Sequence, residues 1–105
     1  MNSVWCILYN AYEFNDIYQG DLTPRYISLN KEDAINQFNK WKSEQISLLN
    51  NVCENHKDMV NNRPEDFQIY IDEENELEVW IDNWCYHYKL IEFKLNVDLN
   101  WVDYV

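Results

Sequence analysis

Between Phe67 and Asp82 the chain reads FQIYIDEENELEVWID, and apolar and polar residues alternate on both sides of a short acidic break. Phe67, Ile69 and Ile71 alternate with Gln68, Tyr70 and Asp72. Leu77, Val79 and Ile81 alternate with Glu76, Glu78, Trp80 and Asp82. A period of two puts one set on a buried face and the other outside, which predicts two half-buried strands of one hairpin turning near Glu73 to Asn75. The rest of the chain supplies further strands and a helix.

Both are legible. Val4 to Tyr12, VWCILYNAY, is rich in β-branched and aromatic residues and reads as a strand buried on both faces. Asn15-Asp16 and Gly20 supply turn chemistry. Arg25 to Leu29 reads as a second, short strand paired antiparallel with the first. Asn30 then caps a helix, with Asp33 at the third position and acids in the first turn, where the helix dipole favours them. Ala34, Phe38, Trp41, Gln45, Leu48 and Val52 recur at steps of three and four, and Ile35, Lys42, Ile46 and Leu49 widen the stripe. The helix is expected from Lys31 to about Val60, with a weak point at Asn50-Asn51. Asn61-Asn62-Arg63-Pro64 ends it, because a residue before proline avoids the helical region. A last strand is expected from about Tyr86 to Asn96, followed by a tail of no clear period. The order is strand, strand, helix, then three strands. It predicts a single α+β domain over residues 1–105, a mostly antiparallel sheet of about five strands with one long or broken helix on one face. Such a length can bury a core, and 17 aromatic residues supply one.

Nineteen acids against eight bases give a net charge of −11, and the excess is local. Residues 1–29 sum to −2, residues 30–64 to zero and residues 65–105 to −9. Such a polyanion is repelled by phosphates and by anionic membranes, so neither nucleic acid nor membrane is expected as a direct partner. Residues two apart on a strand lie roughly 6.6–6.8 Å apart on one face. Asp72, Glu76, Glu78 and Asp82 are therefore expected in one outward row, with Glu73 and Glu74 at the turn and the rings of Tyr70 and Trp80 among them. A basic groove built for nucleic acid would attract this row, and the rings could anchor it. The competing reading is that the acids are a solvated face that deters sheet-to-sheet aggregation.

The chemistry of catalysis and metals finds little purchase. A single glycine excludes phosphate-cradling loops, and the DEENE run lacks the spacing of a calcium loop. Cys53 with His56 and Cys85 with His87 each share a face locally, so a zinc site would need the two pairs to converge. A Cys-His nucleophile is conceivable in principle, but nothing singles one out. The reading expects no enzyme, no cofactor and no metal. Three irregularly spaced cysteines make no disulfide framework, and the opening Met-Asn-Ser-Val-Trp lacks a basic n-region; a reduced, cytoplasmic protein without a signal peptide is expected.

The layout VWCILYNAYEFND, then YISLNKEDAINQFNKW with its helix start SLNKEDAINQF, then an acidic hairpin, resembles small accessory proteins of phages and prophages of the anti-CRISPR or anti-restriction type. The resemblance implies an anti-defence role: an inhibitor that mimics nucleic acid and occupies the basic groove of a CRISPR effector or another nuclease, in the host cytoplasm if phage-encoded. The alternative is a structural or interaction module that binds a partner, or its own copy, through the aromatics Tyr86, Tyr88, Trp101 and Tyr104.

Overall fold

The structure, a computed structural model, describes residues 2–13 and 22–95. The expected turn at Asn15-Asp16 and Gly20, and the tail with Trp101 and Tyr104, lie outside the described residues. Five strands, β1 (Asn2–Glu13), β2 (Thr23–Ser28), β3 (Phe67–Asp72), β4 (Glu76–Ile81) and β5 (Trp84–Leu95), form one antiparallel sheet in the order β2-β1-β5-β4-β3. Helix α1 (Lys31–Asn55) connects β2 to the β3-β4-β5 meander through a short helix α2 (Lys57–Asn62) and a 3-10 turn at Pro64–Asp66. The α+β class and the element order are those read from the sequence.

The frame is the β1–β5 pair. These two strands match residue for residue over twelve positions, from Asn2 opposite Leu95 to Glu13 opposite Trp84, without a break in register. The faces are therefore fixed along the whole length. Ile7 lies opposite Leu90 and shares its face with Leu77, Val79, Ile81 and Phe67 of the neighbouring strands. Onto this face α1 sets Ala34, Phe38 and Leu49, and together they form the core. Burying a Phe or Leu side chain contributes roughly 1.5–3 kcal/mol each, which is what ties the helix to the sheet.

The helix starts where its cap predicts. The Asn30 side chain accepts the Asp33 backbone N–H at 3.2 Å, and Asn30 itself is held by Ser28 Oγ at 3.0 Å. The helix runs unbroken through the weak point at Asn50-Asn51. Leu49 is buried and Val52 and Cys53 pack against the core, so the helix is held down on both sides of the two exposed asparagines. It breaks instead at His56, at φ −132° and ψ 53°, after the last anchoring side chain and inside the polar run Glu54 to Asp58. Leu48, read as part of the buried stripe, is about half exposed.

Candidate interaction surface

The acidic hairpin is where the sequence pointed, but its register differs from strict alternation. Ile69 lies opposite Val79 whereas Ile71 lies opposite Glu78, so Tyr70 is an extra residue on β3. A bulge of this kind turns every following side chain to the other face. Asp72, expected on the outward row, thus faces α1, where Lys42 Nζ pairs with its Oδ1 and also donates to the Glu73 carbonyl at 2.9 Å. Ile71 turns to the outward face, and Ile69 ahead of the bulge is left 37% exposed on the edge strand.

Asp82 leaves the row for a different reason. It is in the two-residue connection between Ile81 and Trp84, at φ 57°, a left-handed conformation that aspartate tolerates better than most residues. Arg63 clamps this turn. Its Nη2 donates to Asp82 Oδ1 at 2.7 Å, and its Nη1 to Asn83 Oδ1 at 3.3 Å and Asp66 Oδ2 at 3.2 Å. Alternation alone could not find this role, because the partner guanidinium lies 19 residues away.

Glu76 and Glu78 do stay on the outward face, opposite Lys89 and His87 of β5. His87 Nε2 lies 2.7 Å from Glu76 Oε2. An ionised carboxylate only accepts, so Nε2 carries the proton in this bond. Glu78 belongs to a second group of interacting side chains, in which Cys85 has side-chain hydrogen-bond contacts with Tyr12 and with Glu78. Burial first, and then the neighbouring acid, push the Cys85 thiol up to about 11, and the bond with Cys85 followed by burial pushes Tyr12 up to about 12. Both groups are neutral at physiological pH. Tyr70 and Trp80 come together as expected, with ring centroids 5.3 Å apart, and the Tyr70 hydroxyl donates to the Glu65 carbonyl.

The six acids are thus not one uniform row. Asp72, Asp82 and Glu76 are held by Lys42, Arg63 and His87. Glu78 is half-buried in the Tyr12–Cys85 group. Glu73 and Glu74 project from the β3–β4 turn with exposed side chains, and among the described residues neither side chain has an ion-pair partner. Glu74 also lines a groove of about 640 Å³ with Glu92, Trp5 and Lys31.

The two Cys-His pairs do not converge. Cys53 packs against the core on the helix side, whereas Cys85 and His87 alternate with the core-facing Tyr86 and Tyr88 and so lie on the outward face. Among the described residues no three His, Cys, Asp or Glu side chains are grouped to hold a metal, and no helix is long and apolar enough to cross a membrane. Tyr86 and Tyr88, the described aromatics of the interaction-module reading, pack partly buried against the core beneath α1. No family model, curated protein or solved structure matches the chain.

Proposed function

We propose that the protein is a non-enzymatic acidic inhibitor that docks on a basic nucleic-acid-binding surface, such as the groove of a CRISPR effector or another defence nuclease. The observation that carries this reading is the charge asymmetry. Nine of the eleven net negative charges fall in residues 65–105, and Glu73 and Glu74, at the end of a hairpin, have no ion-pair partner among the described residues. Solubility alone needs a smaller and more dispersed excess. Glu73 and Glu74 lead the contact, Glu76 and Glu78 add field from the outward face, and Tyr70 with Trp80 forms the aromatic anchor. Asp72 and Asp82 serve the fold as much as the field.

The test is capture of nucleases from a bacterial lysate on immobilised protein at low and at high salt. Release of a basic nuclease by salt or by added DNA is the expected result, since screening weakens exposed charge pairs. Reversal of Glu73 and Glu74 to Lys should abolish capture without unfolding. These are better positions than Glu76 and Glu78, whose reversal also breaks the His87 and Cys85 contacts. A double variant that captures as well as the parent removes the hairpin from the interface.

A second reading has its own observation. The outward face carries Ile27 at 63% and Phe93 at 51% exposure, and these are the apolar groups an interaction module would use in place of Tyr86 and Tyr88. A partner retained through high salt, and lost on Phe93→Lys, would favour it.

A further inference from the structure

At the opposite side of the sheet from the acidic hairpin, a pocket of about 200 Å³ opens between α1 and strands β1, β2 and β5. Tyr9 and Tyr88 form one wall with centroids 4.7 Å apart, and Trp41 of α1 stands 6.3 Å from Tyr88. Glu44, one helical step beyond Trp41, is exposed at the edge. The remaining lining residue is Arg25, an exposed side chain whose guanidinium carbon sits 4.6 Å from the Tyr9 ring centre.

The space is open to the surface where the exposed Arg25 and Glu44 edge it, and its lining is not merely apolar. Aromatic faces carry negative charge density and attract cations, best when several rings and a carboxylate surround the same point. Burial raises the Tyr88 phenol to about 12 and raises Tyr9 as well, so both rings are neutral phenols at physiological pH. The position over Tyr9 already holds a guanidinium, which shows what group the walls accept.

We propose that this aromatic pocket receives the guanidinium of an arginine side chain from a basic partner, which takes the place of Arg25. The arrangement suits a planar cation. Tyr9 and Trp41 each stand close to Tyr88 with their rings tilted against it, and Glu44 lines the same pocket with an exposed carboxylate. The overall negative charge of the protein raises the local concentration of such a group. Arg25 acts as the resident occupant, is displaced without disturbing the core, and sets a threshold that a weakly binding cation does not pass.

The experiment is a titration of the whole protein with Nα-acetyl-arginine amide, followed by the indole N–H of Trp41 in nitrogen-edited NMR spectra. The expected result is a saturable shift of that signal. Removing the resident cation as Arg25→Ala, or as Arg25→Met to keep the stem, should tighten binding at least threefold, and Glu44→Gln should weaken it at least threefold. Nα-acetyl-lysine amide should bind more weakly than the arginine compound. Equal binding in the parent and both Arg25 variants, or small shifts spread over the acidic surface with none at Trp41, overturns the proposal. The titration needs no nuclease, so its failure leaves salt-sensitive capture by the hairpin standing, and failure of capture leaves the pocket standing.

Discussion

The two faces of the sheet are built from the same alternating strands and meet opposite fates. The face toward α1 carries Ile7, Leu77, Val79, Ile81 and Leu90, all buried under Phe38 and Leu49. On the other face, no described element packs over Ile27 and Phe93, yet Cys6 and Cys85 on that face are buried. The difference is one of means. The helix face excludes water by a second layer, whereas Cys85 is excluded by its flanking neighbours, Tyr12 on β1 and Trp80 on β4. The second layer covers the large apolar side chains of its face. Lateral shielding protects small groups and leaves large apolar ones accessible for binding.

The sharpest way to break this contrast is a matched pair of truncations. Phe38→Ala removes a ring that is 1% exposed and should cost about 3–5 kcal/mol in urea denaturation, because it leaves a cavity in the helix layer. Phe93→Ala removes a ring that is half exposed and should cost less than about 1 kcal/mol. Equal losses would mean that the outward face is covered as fully as the other.

Alkali gives the next largest effect, and it begins on the outward face. Burial raises the Cys85 thiol from 9.0 to about 11 and also raises Cys6. A raised folded value means that the unfolded chain loses its proton first, so the stabilisation is complete below pH 9 and is lost as pH climbs through 11. The thermal midpoint should hold to about pH 9 and then fall. Tyr12 and Tyr88, raised from 10.0 to about 12, add to the fall from pH 10 and extend it to about pH 12. Cys85→Ala should reduce the loss between pH 9 and 10, with Cys6 carrying what remains. An unchanged profile in that variant would assign the fall to other groups. Thiol labelling sharpens the same point: half-buried Cys53 should react well before Cys6 and Cys85.

What the sequence made legible follows the range of the forces involved. Strand and helix identity depends on periodicity within a few residues. Hence the hairpin, the cap at Asn30 and the order of elements could be read directly. The bulge at Tyr70 could not, because nothing local marks it. The bulged register lets Asp72 meet Lys42, 30 positions earlier in the chain, and the alternation past Tyr70 then inverts. Arg63 and the Asp82-Asn83 turn are the same kind of case. The aromatic pocket draws Tyr9, Arg25, Trp41, Glu44 and Tyr88 from four separate elements, so local period could not assemble it, although Tyr88 stood out as a candidate binding aromatic.

Asn30→Ala tests how far the helix layer depends on its own start. One capping bond to Asp33 is lost, and the cost should be about 1 kcal/mol, within the usual range of roughly 0.5–2. The loss should appear in stability alone, with the far-ultraviolet spectrum of the folded state unchanged, since Ala34 and Phe38 still anchor the first turns. A variant that loses helical signal in the absence of denaturant would show that the cap, and not the packing, holds the layer on the sheet.

The smallest effect lies at the seam between the two regions, where Lys42 of the helix layer meets Asp72 of the bulged edge strand. The Asp72 side chain is half exposed, so water screens the pair, and Asp72→Asn should cost only about 0.2–1 kcal/mol, fading in high salt. Lys42 keeps a second bond to the Glu73 carbonyl, which limits the loss further. The informative readout is the bulge itself. If Asp72 is what selects the register, the asparagine variant should change the amide cross-strand pattern between Ile69 and Leu77, measured by NMR. If the pattern is unchanged, the register is set by the apolar partners Phe67–Ile81 and Ile69–Val79 on one side of the bulge, and the ion pair only decorates a turn that packing has already fixed.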